Sequence, residues 1–323
     1  MSTDRLVSFL TLDGAGGGRV STDEEVAADP ASAPLLWVHV DFGQEAGRRW
    51  LEEHSGLSEI LIEALLADEP RPRSLVMGDG LLVILRGVNL NAGSDPEDMV
   101  SLRMWLEAGR IITVRRRRLA AIGDIRDQLA QGAGPTDAGD FLQEIVDRLL
   151  DRIGETVGAL DDRADELEDA VLSMESRELR PKLGALRRQA IALRRYIAPQ
   201  RDAIARLQSE KASWLVDIHR ARLREDADRI TRYVEDLDSA RDRVAVTQEE
   251  LSNRLSEEMN RTMYLLSVVA AIFLPLGLLT GLLGINVGGI PGTESPYAFM
   301  LVSISLVVMA GALAAWFRSK RIV

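Results

Sequence analysis

Residues 262–286 read TMYLLSVVAAIFLPLGLLTGLLGIN, and no charged side chain occurs between Thr262 and Thr293. The apolar part of this stretch, residues 265–283, has the length that an α-helix needs to cross the ~30 Å hydrocarbon core of a bilayer. The stretch lies too far along the chain to be a secretory leader. We therefore predict a membrane span here.

A second charge-free block follows Glu294 and runs to Arg318. It predicts another span over residues 299–317. The spans are joined by a short loop at 284–298. Residues 262–323 are accordingly predicted to form a membrane domain.

Charges beside the spans predict their orientation. Arg318, Lys320 and Arg321 follow the second span, whereas the loop has no Lys or Arg and a single acid, Glu294. Because basic residues collect on the cytoplasmic side, we expect cytoplasmic N- and C-termini. Glu294 would then attract cations to the outer side. Residues 1–10 contain no apolar signal segment, so we expect no export of the N-terminal part.

Composition narrows the possible functions. The chain has 323 residues, and 39 Lys+Arg against 50 Asp+Glu give a net charge of −11. This balance favours divalent cations as partners over nucleic acid, and the spans imply contact with membrane lipid. The sequence contains no cysteine, which removes thiolate metal sites and cysteine nucleophiles. We see no nucleophile with a paired base, and we therefore expect neither an enzyme nor a bound cofactor.

The N-terminal part is predicted to be an α/β cytoplasmic domain over residues 1–135. Short β-branched runs bounded by turn residues alternate there with amphipathic stretches. Strands are expected at 35–42, 75–85 and 110–114. The three-and-four spacing of leucines, isoleucine and alanine predicts a helix at 57–66.

Residues 136–261 are predicted to be long helices. The first, at about 140–173, is strongly acidic, and a second begins near Pro181 and carries an arginine-rich face. We expect these two helices to be antiparallel and to neutralise each other. Residues 200–274 contain neither glycine nor proline. They predict a turn near 209–213 followed by one long stalk helix that enters the membrane.

One face of the first span is small or polar. Its residues step by three or four positions, so they share one side of a helix. The face fits close helix packing, which Gly277 and Gly281 would satisfy alone, and it equally fits the lumen of a pore built from several copies. Its members include Asn260, Met263, Ala270, Leu274, Gly277 and Gly281.

The first span closes on Gly284-Ile285-Asn286, and a glycine-rich segment follows at 287–292. An acidic N-terminal region, a stalk helix, two C-terminal spans and this Gly-x-Asn triplet together resemble the CorA metal-ion transporter superfamily. Its typical triplet is Gly-Met-Asn, and Ile285 departs from it. Gly-Ile-Asn and the glycines after it resemble the zinc-transporting ZntB branch, as does Leu12-Asp13-Gly14 near the N-terminus. The layout resembles the superfamily over essentially the whole chain.

The resemblance implies a CorA-like homopentameric funnel whose first spans line a pore and whose second spans surround it. Gly284, Ile285 and Asn286 would be the selectivity filter, where five Asn286 amide oxygens hydrogen-bond a hydrated Zn²⁺ ion. By its residue type alone, Asn286 fits a helix C-cap. The other pore residues that the resemblance implies are a polar ring at Asn260 and apolar constrictions at Met263, Leu266 and Leu274.

The expected function is zinc transport across a bacterial inner membrane, as uptake aided by the proton gradient. Efflux through the same pore, a Mg²⁺ or Co²⁺ channel and a non-transporting helical scaffold remain alternatives. A zinc site on the stalk is a further hypothesis, because His219 could bind the ion together with Asp217 or Glu225. A solvated helix face is the competing interpretation of these residues.

Overall fold

The computed structural model describes residues 6–22, 24–25, 34–173, 178–284, 292 and 295–319. By its internal contacts the chain forms two compact units, Met1–Gln248 and Glu249–Val323. The strands are β1 Val7–Leu12, β2 Gly18–Ser21, β3 Leu35–Asp41, β4 Arg73–Met77, β5 Gly80–Gly87, β6 Val100–Glu107 and β7 Arg110–Arg115. The helices are α1 Glu45–Glu53, α2 Glu59–Leu66, α3 Ala120–Ala130, α4 Ala138–Ser173, α5 Leu179–Leu207, α6 Asp217–Leu283 and α7 Ala298–Ser319. The domain boundaries drawn from the sequence at 135 and 261 stay predictions.

The first unit is built on a seven-stranded sheet with the order β2-β1-β3-β7-β6-β5-β4. Only the β3–β7 pair is parallel, and the other pairs are antiparallel. The strands predicted at 35–42 and 110–114 are confirmed as β3 and β7. The single strand predicted at 75–85 is wrong, because Gly78, with a φ of 66°, turns the chain into a β4–β5 hairpin.

Helices cover both faces of this sheet. On one face α1 and α2 enclose a core that includes Val38, Val40 and Leu65. On the other face the ring of Trp37 meets Phe141 of α4 with 4.9 Å between centroids. Alternate residues of β3 therefore enter different cores, as the period of two along a strand requires. The helix predicted at 57–66 is confirmed as α2.

Helix α5 is joined to the sheet by a buried hydrogen bond. The backbone N–H of Arg86 in β5 donates to Oε1 of Gln200 at 2.6 Å. The turn after α5 is held by Asp79, whose carboxylate accepts the Ser213 N–H at 2.8 Å and whose carbonyl accepts the Trp214 indole N–H at 2.9 Å. The turn predicted at 209–213 thus lies between α5 and α6, and the sheet fixes where the long helix begins.

Helices α4 and α6 are joined by a regular series of ion pairs. Three arginines of α6 each lie 82 residues after an aspartate of α4 that they pair with. Because this offset stays constant, the paired segments run parallel. The pairs are Arg222–Asp140, Arg229–Asp147, Arg229–Asp151, Arg243–Asp161 and Arg243–Asp165.

This series corrects the predicted charge pairing. The acids of α4 were expected to meet the arginines of α5, but the ion pairs described between these acids and another helix lead to α6. Arg194 of α5 instead pairs with Asp238 of α6 at 2.6 Å. Helical periodicity identifies the face that carries charge, whereas the partner of that face is set by tertiary packing.

Candidate functional site

Two helices have the length and composition to cross a membrane. They are α6, through its C-terminal part, and α7, each strongly apolar over a window of 18 residues. Both windows are 0% buried, and no described residue from 252 to 319 is buried. Apolar side chains exposed on this scale need cover from outside the chain. The predicted spans at 265–283 and 299–317 lie within these helices.

The predicted pore-lining residues are brought onto one unbroken helix. α6 continues through Pro275 to Leu283, so the spacing of the small and polar face is preserved along it. Met263, Leu266 and Leu274 are 61%, 68% and 72% exposed, and Asn260, Ala270, Gly277 and Gly281 are exposed as well.

The serine and threonine hydroxyls of the first predicted span donate hydrogen bonds within the helix. Ser267 donates to the carbonyl of Met263 at 2.9 Å, and Thr280 donates to that of Leu276 at 3.0 Å. A hydroxyl bonded in this way leaves its own lone pairs free to accept hydrogen bonds. This part of the helix is thus compatible with hydrocarbon and can still offer acceptors to water on one side.

The predicted filter is described at its first residue. The N–H of Gly284 donates to the carbonyl of Thr280 at 2.9 Å, which continues the helical pattern past Leu283. Ile285 and Asn286, as well as Glu294 of the outer loop, lie outside the described residues. Their roles stay predictions from the sequence.

His219 has different neighbours from those predicted. Asp217 is fully exposed, with its carboxylate 3.6 Å from Arg220. The carboxylates facing His219 come instead from Asp137, just before α4, and Asp140, in its first turn. Nε2 of His219 lies 3.6 Å from Oδ1 of Asp137 and 3.4 Å from Oδ1 of Asp140. In the part of the chain that is described, these three residues form one group able to hold a metal ion, with one donor atom from each within 4.8 Å of the others.

The carboxylate of Asp140 is kept ionised by its surroundings. Burial raises its pKa, but hydrogen bonds from Thr136 and the nearby charges of His219 and Arg222 outweigh burial and hold the pKa below its usual value. Arg222 comes within 3.9 Å of Oδ1, while its own hydrogen bond goes to Gln143. Asp140 therefore presents a negative oxygen to the imidazole.

The other two histidines are not part of a metal group among the described residues. His39 is buried in β3, where Nδ1 lies 2.7 Å from the hydroxyl of Thr113. Burial, with the positive charges of Arg115 and Arg126, lowers its pKa well below 6.5, so the ring is neutral. His54 follows α1 and is exposed. This environment fits a structural role for His39.

The exposed apolar helices at the C-terminus indicate a membrane protein, and the small and polar face on the first fits a transporter. A family model described as CorA-like Mg²⁺ transporter protein matches residues 32–321. The chain therefore belongs to the CorA-like family, as its sequence motifs indicated.

Individual relatives cover almost the whole chain. It is 42% identical over 302 residues to the divalent cation transporter CmaX of Pseudomonas aeruginosa. The aligned region covers 93% of this chain and 91% of CmaX. It is 38% identical over 315 residues to the zinc transport protein ZntB of Pectobacterium carotovorum, with 98% and 95% covered. The solved structure of full-length CmaX superposes with a TM-score of 0.85 and 39% identity, and covers 100% of this chain and 99% of that one.

Proposed function

We propose that this protein transports zinc across the bacterial inner membrane, through a pore formed by five copies of the chain. One observation carries the proposal: the small and polar face of α6 is exposed along its full predicted span. Such a face can line a pore only when several copies surround one axis. The names of the relatives, one a zinc and one a divalent cation transporter, support this cargo.

Recognition of the ion is assigned to a ring of Asn286 side chains. Amide oxygens can hydrogen-bond the water shell of a divalent cation without removing it. Met263, Leu266 and Leu274 expose apolar side chains along the same helix, and constrictions of this kind gate by expelling water. Ions would pass when the helices move apart and let water enter.

Both termini of the chain are placed in the cytoplasm. The basic residues after α7 and their absence from the loop at 284–298 support this orientation. Other acids of α4, such as Glu155, Asp162 and Glu166, are exposed to solvent and would attract cations from the cytoplasm. The acids paired with α6 are neutralised and contribute little to this attraction.

The direction of transport is proposed to be uptake, with the proton gradient aiding it. The spans at 265–283 and 299–317 contain no acid, base or histidine. Proton coupling would therefore use groups outside the hydrocarbon core. Efflux of zinc is the competing direction. Mg²⁺ or Co²⁺ is the competing cargo, and the description of the family model favours Mg²⁺.

Ion flux into proteoliposomes tests the proposal. Vesicles containing the full chain and an internal metal-sensitive dye are given Zn²⁺ or Mg²⁺, with and without an inward proton gradient. Zinc should enter, and the gradient should speed its entry. Asn286→Ala should reduce the flux to the level of protein-free vesicles, whereas Asn253→Ala, an exposed asparagine of α6 outside the spans, should not.

Two outcomes would change the proposed function. Entry of Mg²⁺ with exclusion of Zn²⁺ would establish the magnesium channel. If neither metal moves although the protein is inserted and oligomeric, transport is abandoned and the scaffold becomes the better explanation.

A further inference from the structure

We propose that Asp137, Asp140 and His219 form a zinc-binding site in the first unit, separate from the pore and independent of transport. The site joins the beginning of α4 to the first turn of α6. Its ligands are two carboxylate oxygens and one imidazole nitrogen. A water molecule would complete a four-coordinate ion.

The distances between the donor atoms fit a metal better than a hydrogen bond. Nε2 of His219 lies 3.4 and 3.6 Å from the two aspartate oxygens. An N–H···O hydrogen bond between them would measure about 2.7–3.2 Å. Zinc bonds of about 2.0–2.1 Å hold tetrahedral ligands about 3.3 Å apart. His219 therefore stands from each carboxylate at nearly the spacing that a zinc ion would impose, and all three donor atoms lie within 4.8 Å of one another.

His219 is held in position for such a role. Its side chain is 3% exposed, and its Nδ1 has no hydrogen-bond partner among the described residues. A Cβ atom placed on Gly139 would lie 2.0 Å from Nδ1, so the ring packs directly on the backbone of α4. This contact fixes the ring with Nε2 towards the carboxylates. Nε2 of this buried ring thus points into an anionic site, while Nδ1 faces the Gly139 backbone.

The two carboxylates are held by bonds that leave them able to bind a metal. Oδ1 of Asp137 accepts the N–H of Asp140 at 2.8 Å and keeps a second lone pair. The hydroxyl of Thr136 binds Oδ2 of Asp140, so Oδ1 of that residue is turned to His219. Partners of this kind orient metal ligands.

Ligand chemistry favours zinc over magnesium here. Imidazole nitrogen is a preferred ligand of Zn²⁺, whereas Mg²⁺ takes oxygen ligands and several waters. Arg222, 3.9 Å from Asp140, offsets part of the negative charge of the pair. Weak, purely electrostatic capture of Mg²⁺ is therefore disfavoured, while the directed Zn–N bond remains available.

Zinc binding to the full-length protein in detergent tests the site. Stoichiometry is measured by equilibrium dialysis against Zn²⁺ buffered with a chelator, and repeated with Mg²⁺. His219→Gln removes the imidazole ligand, and Asp137→Asn replaces a charged carboxylate oxygen by a neutral and weaker amide oxygen. Asn is as good an N-cap as Asp, so Asp137→Asn should leave α4 intact. His54→Gln is the matched control, because His54 is exposed and outside the cluster.

We expect wild type and His54→Gln to bind one additional zinc ion per chain, compared with His219→Gln and Asp137→Asn. The affinity of this ion should fall by more than about 100-fold, beyond the 10–100-fold that loss of a group hydrogen-bonded to a ligand costs. Mg²⁺ should not compete at equal concentration. If His219→Gln fails to fold by circular dichroism, the result for Asp137→Asn decides alone.

Equal zinc binding by all four proteins would overturn the site and leave His219 in contact with the aspartates without a metal. Loss of zinc in His219→Gln but not in folded Asp137→Asn would also overturn the three-ligand assignment. Neither result depends on ion flux, so the site and the transport function can fail separately.

Discussion

Asp226 should make the first unit less stable as the pH rises. It lies in α6 with 5% of its surface exposed, and its Oδ2 has no hydrogen-bond partner among the described residues. Burial and the charges of Asp147, Asp151 and Glu225 raise its pKa from 3.8 to about 7, although Arg229 opposes them. Asp226 is therefore protonated in the folded protein at a pH where the unfolded chain is ionised.

The sign and size of the effect follow from this difference. Between about pH 4 and pH 7 folding takes up a proton, so the free energy of unfolding falls as the pH rises, and it levels off above the folded pKa. A difference of about 3 pKa units corresponds to about 4 kcal/mol, and relaxation around a buried charge reduces it to roughly 2–4 kcal/mol. Asp226→Asn keeps the shape without the charge. It should match wild type near pH 4 and exceed it by this amount at pH 8.

Thermal unfolding of the full-length protein in detergent measures the difference. For a unit of this size about 2–4 °C per kcal/mol predicts that Asp226→Asn melts roughly 5–15 °C above wild type at pH 8. The gap should close towards pH 4. Asp228→Asn removes the same charge from an exposed position of α6 and should produce no such gap. A stabilisation of Asp226→Asn that is equal at both pH values would refute the reasoning.

Two further substitutions test buried contacts through the same melting curves. Gln200→Ala leaves the buried N–H of Arg86 without an acceptor and should cost about 1–3 kcal/mol; an unchanged melting temperature would show that water replaces the amide. Gly139→Ala forces a Cβ onto the His219 ring and should cost about 1–3 kcal/mol. The control is Gly158→Ala in the same helix, where the added Cβ meets nothing within 4 Å, and this change should stabilise the protein by up to about 1 kcal/mol. Equal effects of the two glycine substitutions would contradict the close contact between Gly139 and His219.

Long periodic elements were predictable from the sequence, whereas short or paired ones were not. The acidic helix expected at 140–173 is α4, and the spans expected in the last third lie in α6 and α7. Strands β1, β2 and β6 were missed, and the β4–β5 hairpin was taken for one strand. Gly78-Asp79-Gly80 is a turn signal that could have divided it. Apolar residues on both sides of that signal made the run look continuous.

The candidate metal site shows a different limit of the sequence. His219 was proposed as a ligand, but its partners were sought along the same helix. Asp217, two positions earlier, points away from His219, because residues two apart on a helix do not face each other. Asp137 and Asp140 are about 80 residues upstream, and only the parallel packing of α4 on α6 brings them close. A ligand set spread over two helices leaves no spacing signal in the sequence.

The two units differ in how they satisfy their apolar residues, and this bears on assembly. The first unit buries its own, with Trp37 and Phe141 at 0% exposure, whereas α7 contains no buried residue. Lipid can cover the large side chains of the spans, but it packs poorly on the face of Gly277 and Gly281, where a neighbouring helix can approach closely. A pore lumen on that face would likewise require other copies around one axis. Close packing alone is satisfied by any neighbouring helix, including α7 of the same chain, so it is the pore interpretation that requires an oligomer, and the family resemblance adds the number five.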